Sequence, residues 1–254
     1  MRASLNPSSP PEPPGLSVVI PFFNEAGNVG PLLAELRAAL AALPVNSEVI
    51  AVDDGSTDGT GAELAAAARD WPALRVRYGG ENRGQAAALW DGFGAARGAW
   101  VAMLDGDGQN PPADLARLWA LRERADLIAG VRAERRDPAL RRVMSRVANA
   151  VRRALLRDGV SDTGCSLKLF RREVVGSFLP IRSMYSFLPA FAQAAGYTVH
   201  EVAVGHRPRR AGTSKYGLAV MAVRPLLDLL ALSWVLRRAF RQRPSPQPRT
   251  DDRA

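Results

Sequence analysis

Glu48-Val49-Ile50-Ala51-Val52-Asp53-Asp54-Gly55-Ser56-Thr57-Asp58 begins as a short apolar run, breaks into polar turn residues, and leads into an Ala- and Leu-rich segment of helical length around 59–69. An apolar run bounded by turn residues and followed by a helical stretch reads as a β-loop-α unit. Leu16-Ser17-Val18-Val19-Ile20-Pro21, upstream, has the same form and feeds a helical segment around 28–43. Downstream, Leu74-Tyr78, Ala99-Leu104 and Asp126-Val131 are further candidate strands, spaced by helical segments around 84–96 and 111–124. Strands alternating with helices predict an α/β fold, a mostly parallel sheet flanked by helices on both faces. Ligands in such sheets bind beyond the carboxyl ends of the strands, so the residues just after each apolar run are the ones to inspect.

Composition bounds the rest. The chain has 254 residues, 47% hydrophobic and 23% charged, which suits one globular domain with a sizeable core. Residues 1–15, MRASLNPSSPPEPPG, are rich in Pro and Ser, lack the apolar stretch of a secretory signal, and read as a disordered leader. Residues 16–215 form the expected folded domain, 216–240 an amphipathic helix and 241–254 a polar tail. Cys165 is the single cysteine and there are two histidines, which excludes an intramolecular disulfide and a conventional zinc site. Cys165 reads as a small packing residue, and the chemistry is expected to be cytosolic and oxygen-ligated. The formal charge of +9 calls for an anionic partner, and its distribution is uneven: the Arg-rich stretches follow residue 130, the acidic clusters precede it.

Three loops follow the apolar runs: Pro21-Phe22-Phe23-Asn24-Glu25, Asp53-Asp54-Gly55-Ser56-Thr57-Asp58 and Asp105-Gly106-Asp107-Gly108-Gln109, with five Asp and one Glu between them. Asp58 reads equally well as a cap for the next helix or as part of a site. Asp53 and Asp54 fit a turn, but adjacent carboxylates repel unless a cation or donors satisfy them, which favours a functional role. In Asp105-Gly106-Asp107, alternate residues of an extended segment bring two carboxylates to one hard cation, Mg²⁺ or Mn²⁺, and the glycine is expected to leave room for a diphosphate. The same spacing occurs in ordinary surface turns; its place after an apolar strand, beside the other acidic loops, is what distinguishes it.

Val18-Val19-Ile20-Pro21-Phe22-Phe23-Asn24-Glu25, Asp53-Asp54-Gly55-Ser56-Thr57-Asp58, Asn82-Arg83-Gly84-Gln85-Ala86-Ala87-Ala88-Leu89 and Asp105-Gly106-Asp107-Gly108-Gln109-Asn110-Pro111-Pro112, in this order, resemble the family-2 glycosyltransferases of GT-A (Rossmann-like) fold. Within them the resemblance is to the dolichol-phosphate mannose synthase and bacterial polyprenyl-phosphate glycosyltransferase branch, over roughly residues 16 to 220. Gln85 stands where Lys is common, Gly106 where Ala is common, and Phe23 where Tyr is frequent. The resemblance implies that Pro21, Phe23, Glu25 and one or both of Asp53 and Asp54 hold the nucleoside of a nucleotide-sugar donor, GDP- or UDP-linked. Asp105, Asp107 and Gln109 would position a divalent metal and the donor diphosphate.

The acceptor implied is a polyprenyl phosphate, whose oxygen is already anionic, so cations matter more than a base. Arg132 and Arg146 match the acceptor-phosphate arginines of this branch, and Arg suits phosphate because its planar fork grips two oxygens. Arg146 also reads as an ordinary solvated arginine. Residues 141–157 space Val143, Val147, Val151 and Leu155 at i,i+4, a basic amphipathic helix equally suited to solvent or to anionic headgroups. Asp162-Thr163-Gly164-Cys165-Ser166-Leu167-Lys168-Leu169-Phe170 resembles the acceptor-proximal segment, a polar turn before a strand. Arg209-Arg210-Ala211-Gly212-Thr213-Ser214-Lys215 resembles a loop that closes over donor phosphates, with Arg209 and Lys215 on the donor and Ser214 at the acceptor phosphate.

Gly217 to Leu236 is long enough to cross a bilayer, but Arg224 and Asp228 interrupt it, each costing roughly 2.5–3.5 kcal/mol at the centre. The expectation is a helix lying on the membrane, followed by the basic cluster Arg237, Arg238, Arg241 and Arg243. This implies a peripheral or monotopic protein at the cytoplasmic face of the membrane, with a downstream membrane glycosyltransferase or flippase as partner. The expected reaction is a direct, inverting displacement with Asp107, Arg132 and Arg146 at its centre. Two rivals remain: transfer to a sugar hydroxyl, for which Asp162 is the candidate base, and nucleic-acid binding, which leaves the acidic loops unexplained; no nucleic-acid partner is expected.

Overall fold

The computed structural model describes residues 13–132, 150–153, 155–156, 158–208, 228–236 and 238. Seven strands form one sheet in the order β3-β2-β1-β4-β6-β5-β7. They are β1 (Leu16–Phe22), β2 (Ser47–Asp53), β3 (Leu74–Tyr78), β4 (Trp100–Met103), β5 (Leu127–Arg132), β6 (Lys168–Arg171) and β7 (Val199–Val204). Helices α1 (Val29–Ala41), α2 (Thr60–Asp70), α3 (Gln85–Ala95) and α4 (Leu115–Ala120) provide the first four crossovers. All pairings are parallel except those of β6, which runs antiparallel between β4 and β5.

Strand alternation places Val18, Ile20, Val49 and Ala51 on the face covered by α1, α2 and α4, and Val19, Ile50 and Val52 on the face covered by α3. α3 lies very close to the sheet, because a Cβ at Gly92 would fall 2.3 Å from Val19 Cγ1. The second face continues into an aromatic group in which Phe170 meets Phe93 edge-on at 5.3 Å and Phe178 at 5.2 Å, geometries favoured by the ring quadrupoles.

The five strands and first three helices expected from the apolar runs are present. The segment around 111–124 is instead broken: a 3₁₀ turn at Pro112–Asp114, a short α4, and a second 3₁₀ turn at Arg122–Arg124. Pro111 and Pro112 bring no backbone N–H, and Arg122 closes the end by laying its guanidinium 4.5 Å from the Trp119 ring. β7 and the helix Leu188–Ala194 complete the second face. Of the 141–157 segment, residues 150–153 and 155–156 are helical, and of the C-terminal segment, residues 228–236 and 238; the remainder of both lies outside the described residues. Among the described residues no helix is long and apolar enough to cross a membrane.

At the amino ends of the strands, Glu48 is a buried junction. Its carboxylate accepts Ser17 Oγ and Arg97 N at 2.8 Å, Arg75 Nη1 at 2.8 Å, and Arg97 Nη2 at 2.7 Å. Burial pushes this carboxyl up, but the bonds from Arg97, Ser17 and Arg75 outweigh it and bring it from 4.5 down to about 2. A depressed acid stabilises the fold above its unfolded value and loses that contribution as pH falls towards the folded one. Stability from Glu48 is therefore expected to fade between pH 4.5 and about 2. Glu48→Gln should cost about 2 kcal/mol at neutral pH and flatten that acid limb, as read by urea unfolding across pH.

Candidate active site

The parallel register from Leu16↔Ser47 to Phe22↔Asp53 delivers the loops after β1 and β2 to the same rim. They are stitched together there. Asn24, held at φ 51°, donates its N–H to Ser56 Oγ at 2.9 Å and accepts Thr57 N–H at 2.8 Å on Oδ1. Glu25 N–H donates to Thr60 Oγ1 at 2.8 Å, and Ala26 N–H to Asp58 Oδ2 at 3.1 Å. Asp58 Oδ1 accepts the N–H and hydroxyl of Thr60, the first residue of α2. Burial raises this carboxyl, yet the bonds from Thr60 and Ala26 hold it below its usual range. Of its two readings, the one tying down a helix start describes its contacts.

Asp53 and Asp54, adjacent and 5% and 4% exposed, both accept backbone N–H donors. Asp53 Oδ1 accepts Ser56 N–H at 3.0 Å. Asp54 spreads its two oxygens over the N–H groups of Arg83 at 3.0 Å and Gly84 at 2.7 Å, fixing the loop that starts α3. Gly55 makes room for that loop: it has φ 72°, and a Cβ there would sit 2.6 Å from the Glu81 carbonyl carbon.

The loop after β4 completes a cavity of about 130 Å³ lined by Pro21, Phe23, Glu25, Asp54, Asp105 and Asp107 together with Phe22, Asn82, Gly84, Gln85 and Gly106. Gln85 Nε2 donates to Asp105 Oδ1 at 2.6 Å, so this amide orients one acid of the pair. Asp107 Oδ1 accepts Gln109 N–H at 3.0 Å. Among the described residues, no group of three or more His, Cys, Asp or Glu converges. Two carboxylates facing one cavity still suit a hard cation that takes its remaining oxygens from substrate phosphate and water.

Asp53 and Gln109 do not line this cavity. The Gln109 side-chain amide is turned to the Arg207 carbonyl at 3.3 Å, while Arg207 N–H returns a 2.8 Å bond to the Gln109 carbonyl. Gly106, which lines the cavity, also has a packing part: a Cβ would strike Phe22 Cδ1 at 2.6 Å and the Pro21 carbonyl at 2.8 Å, so the glycine lets the β1 and β4 exits touch.

Beyond β5, Arg132 grips Asp162 with both prongs, Nε to Oδ2 and Nη2 to Oδ1, each at 2.8 Å. The same carboxylate accepts the N–H groups of Arg132 and Gly164, each at 3.2 Å. Glu201 of β7 supports this turn by accepting Ser161 N–H at 2.8 Å. Lys168, the first residue of β6, is fully buried and donates to the Cys165 carbonyl; burial pushes its amine down, and Asp162 and Asp105 act in the opposite direction. Sequence reading passed over it, although a lysine inside the apolar frame Leu167-Lys168-Leu169-Phe170 is itself a signal. Burial likewise pushes the Cys165 thiol up, in keeping with a packing role. Arg146, Arg209, Ser214 and Lys215 lie outside the described residues.

A parallel sheet with one antiparallel strand, and an acidic rim closed by an Asp-Gly-Asp loop, is the GT-A arrangement of sugar transferases. The family model for glycosyl transferase family 2 matches residues 17–178, and the chain belongs to that family. Among similar proteins is a dodecaprenyl-phosphate galacturonate synthase from Rhizobium johnstonii, 37% identical over 235 residues, which are 90% of this chain and 69% of that one. Another is an undecaprenyl-phosphate 4-deoxy-4-formamido-L-arabinose transferase from Pseudomonas aeruginosa, 38% identical over 85% of this chain and 64% of the relative's length. The chain thus spans about two thirds of each. Among solved structures, glucosyl-3-phosphoglycerate synthase from Mycobacterium tuberculosis with uridine diphosphate superposes with a TM-score of 0.65 at 20% identity, covering 92% of this chain and 82% of the other. A mannosyltransferase from Pyrobaculum calidifontis bound to GDP-mannose and Mn²⁺ gives 0.60 at 22% identity, covering 90% and 66%.

Gly106→Ala is expected to lower stability by about 1–3 kcal/mol because Phe22 and the Pro21 carbonyl must both move. Thermal unfolding checks this; an unchanged midpoint would show that the rim yields freely.

Proposed function

We propose that the protein transfers a sugar from a nucleotide-sugar to the phosphate oxygen of a polyprenyl phosphate, inverting the anomeric carbon. The observation that carries this reading is the Arg132–Asp162 pair. Asp162 was the one candidate base for a hydroxyl acceptor, and its oxygens accept four hydrogen bonds from Arg132 and Gly164. A carboxylate so committed is a poor proton acceptor, whereas a phosphate oxygen needs no deprotonation. The relatives named above join a sugar to a polyprenyl phosphate, which supports the same acceptor class.

The donor is assigned to the cavity between the β1, β2 and β4 exits, with Pro21, Phe23, Glu25 and Asp54 beside the nucleoside. Asp53 supports from behind by holding its own turn. Asp105 and Asp107 would hold Mg²⁺ or Mn²⁺, which when bound supplies positive charge to the departing diphosphate. Gln85 keeps the Asp105 carboxylate aimed, so that the ligand is arranged before substrate arrives. The acceptor phosphate is assigned to Arg132, which Asp162 holds in place through Nε and Nη2, with Arg146 as a second cation. Inversion requires these cations to align the nucleophile opposite the leaving group. Arg209, Ser214 and Lys215 are assigned to the substrate phosphates, and Gln109 to the backbone of the segment that leads to them. A lipid acceptor sets the protein at the membrane's cytoplasmic face, where a membrane glycosyltransferase or flippase would consume the product.

The test is transfer of label from a panel of UDP- and GDP-sugars into solvent-extractable lipid, with undecaprenyl phosphate and Mg²⁺ or Mn²⁺ present. Chelator-sensitive labelling is expected. Asp107→Asn should lower the rate by about 100-fold or more with an unaltered circular dichroism spectrum; wild-type turnover in that variant contradicts the assignment of the acidic pair.

A further inference from the structure

Two helical stretches distant in sequence meet on the α3 side of the sheet. Ser233 Oγ donates to the Leu155 carbonyl at 3.5 Å, and Leu155, Leu230, Trp234 and Arg238 border one shallow cavity of about 290 Å³. The inner face of residues 228–236 is anchored, since Leu229 and Leu232 are 5% and 3% exposed and join the second core cluster. The outer face is the opposite of what water favours: Leu230 is 51% exposed, Trp234 61% and Val235 38%. Val151, 40% exposed, stands one turn before Leu155 and so extends the strip onto the neighbouring helix. A cation borders it: the Arg238 guanidinium lies 4.8 Å from the Trp234 ring.

We propose that the strip formed by Val151, Leu230, Trp234 and Val235, bordered by Arg238, is the face by which this protein rests on an anionic phospholipid bilayer. The inference deepens the lipid-acceptor reading and rests on it. An anchored helix with Leu and Trp outward and an arginine beside them matches an interfacial helix, whose apolar side enters the acyl boundary while cations meet headgroups. Charge decides between the bilayer and a second copy of the chain. In a two-fold contact Arg238 and the rest of a strongly basic chain would meet their own copies, a repulsion that anionic headgroups replace with attraction. The chain's net charge of +9 acts in the same sense.

The experiment uses the full chain with vesicles of phosphatidylcholine alone or mixed with phosphatidylglycerol, the acyl chains brominated so that inserted tryptophan is quenched. The protein is expected to sediment with the anionic vesicles and to lose fluorescence. Leu230→Ser with Trp234→Ser should weaken that binding at least about tenfold, and Trp234→Phe should remove most of the quenching. Transfer to a short-chain, water-soluble prenyl phosphate should be unchanged in both variants. Sedimentation and quenching equal to wild type in these variants would overturn the assignment, as would a wild-type dimer that the double substitution dissociates. If the wild type binds vesicles through this strip yet transfers sugar to no prenyl phosphate, the surface stands and the acceptor reading fails.

Discussion

Arg132 and Asp162 satisfy each other through two bonds of 2.8 Å, and much of the molecule beyond β4 is arranged around that pair. Arg132 ends β5; Asp162 belongs to the turn that enters β6, the strand that runs against its neighbours. Joining them pins the returning chain across the top of the sheet and neutralises the carboxylate closest to the assigned acceptor position. An isolated buried acid there would be pushed toward its protonated form and could serve as a base; a bidentate guanidinium removes that option. On the proposed reading, the chemistry left to this side is recognition of an anion that carries its own nucleophile.

The donor side obeys a related constraint. Carboxylates crowded at strand ends repel one another, and the fold answers with backbone N–H groups: Ser56 for Asp53, Arg83 and Gly84 for Asp54, Thr60 and Ala26 for Asp58. These bonds both remove the repulsion and lock three loops into one wall. Asp105 and Asp107 differ in facing the cavity from either side of Gly106, with Gln85 and the Gln109 N–H orienting them. Preorganised acids cost nothing to rearrange when a diphosphate arrives.

The first half of this architecture was legible in the sequence because each strand there is an apolar run ending in polar turn residues, and period and punctuation coincide. That rule found the loops, the family resemblance singled out Pro21, Phe23, Glu25, Asp54, Asp105 and Asp107 within them, and these six share one cavity. What escaped has physical reasons. The direction of β6 depends on a long return path, which leaves no mark in a four-residue strand. The packing part of Gly106 was not visible because its neighbour, Phe22, comes from a strand far away in sequence. Asp162 looked available because its partner Arg132 lies 30 residues upstream. Lys168 was passed over although its apolar frame marked it. Contacts between distant segments, not local periodicity, decided the parts of β6, Gly106 and Asp162.

The central claim is that the acceptor brings its own negative charge, and the most direct measurement compares undecaprenyl phosphate with undecaprenol, the same lipid ending in a hydroxyl, as acceptors for the preferred nucleotide-sugar under saturating donor. The account expects rapid transfer to the phosphate and none above background to the alcohol. Comparable transfer to both would mean that a protein base activates the hydroxyl, and would contradict the role given to the Arg132–Asp162 pair.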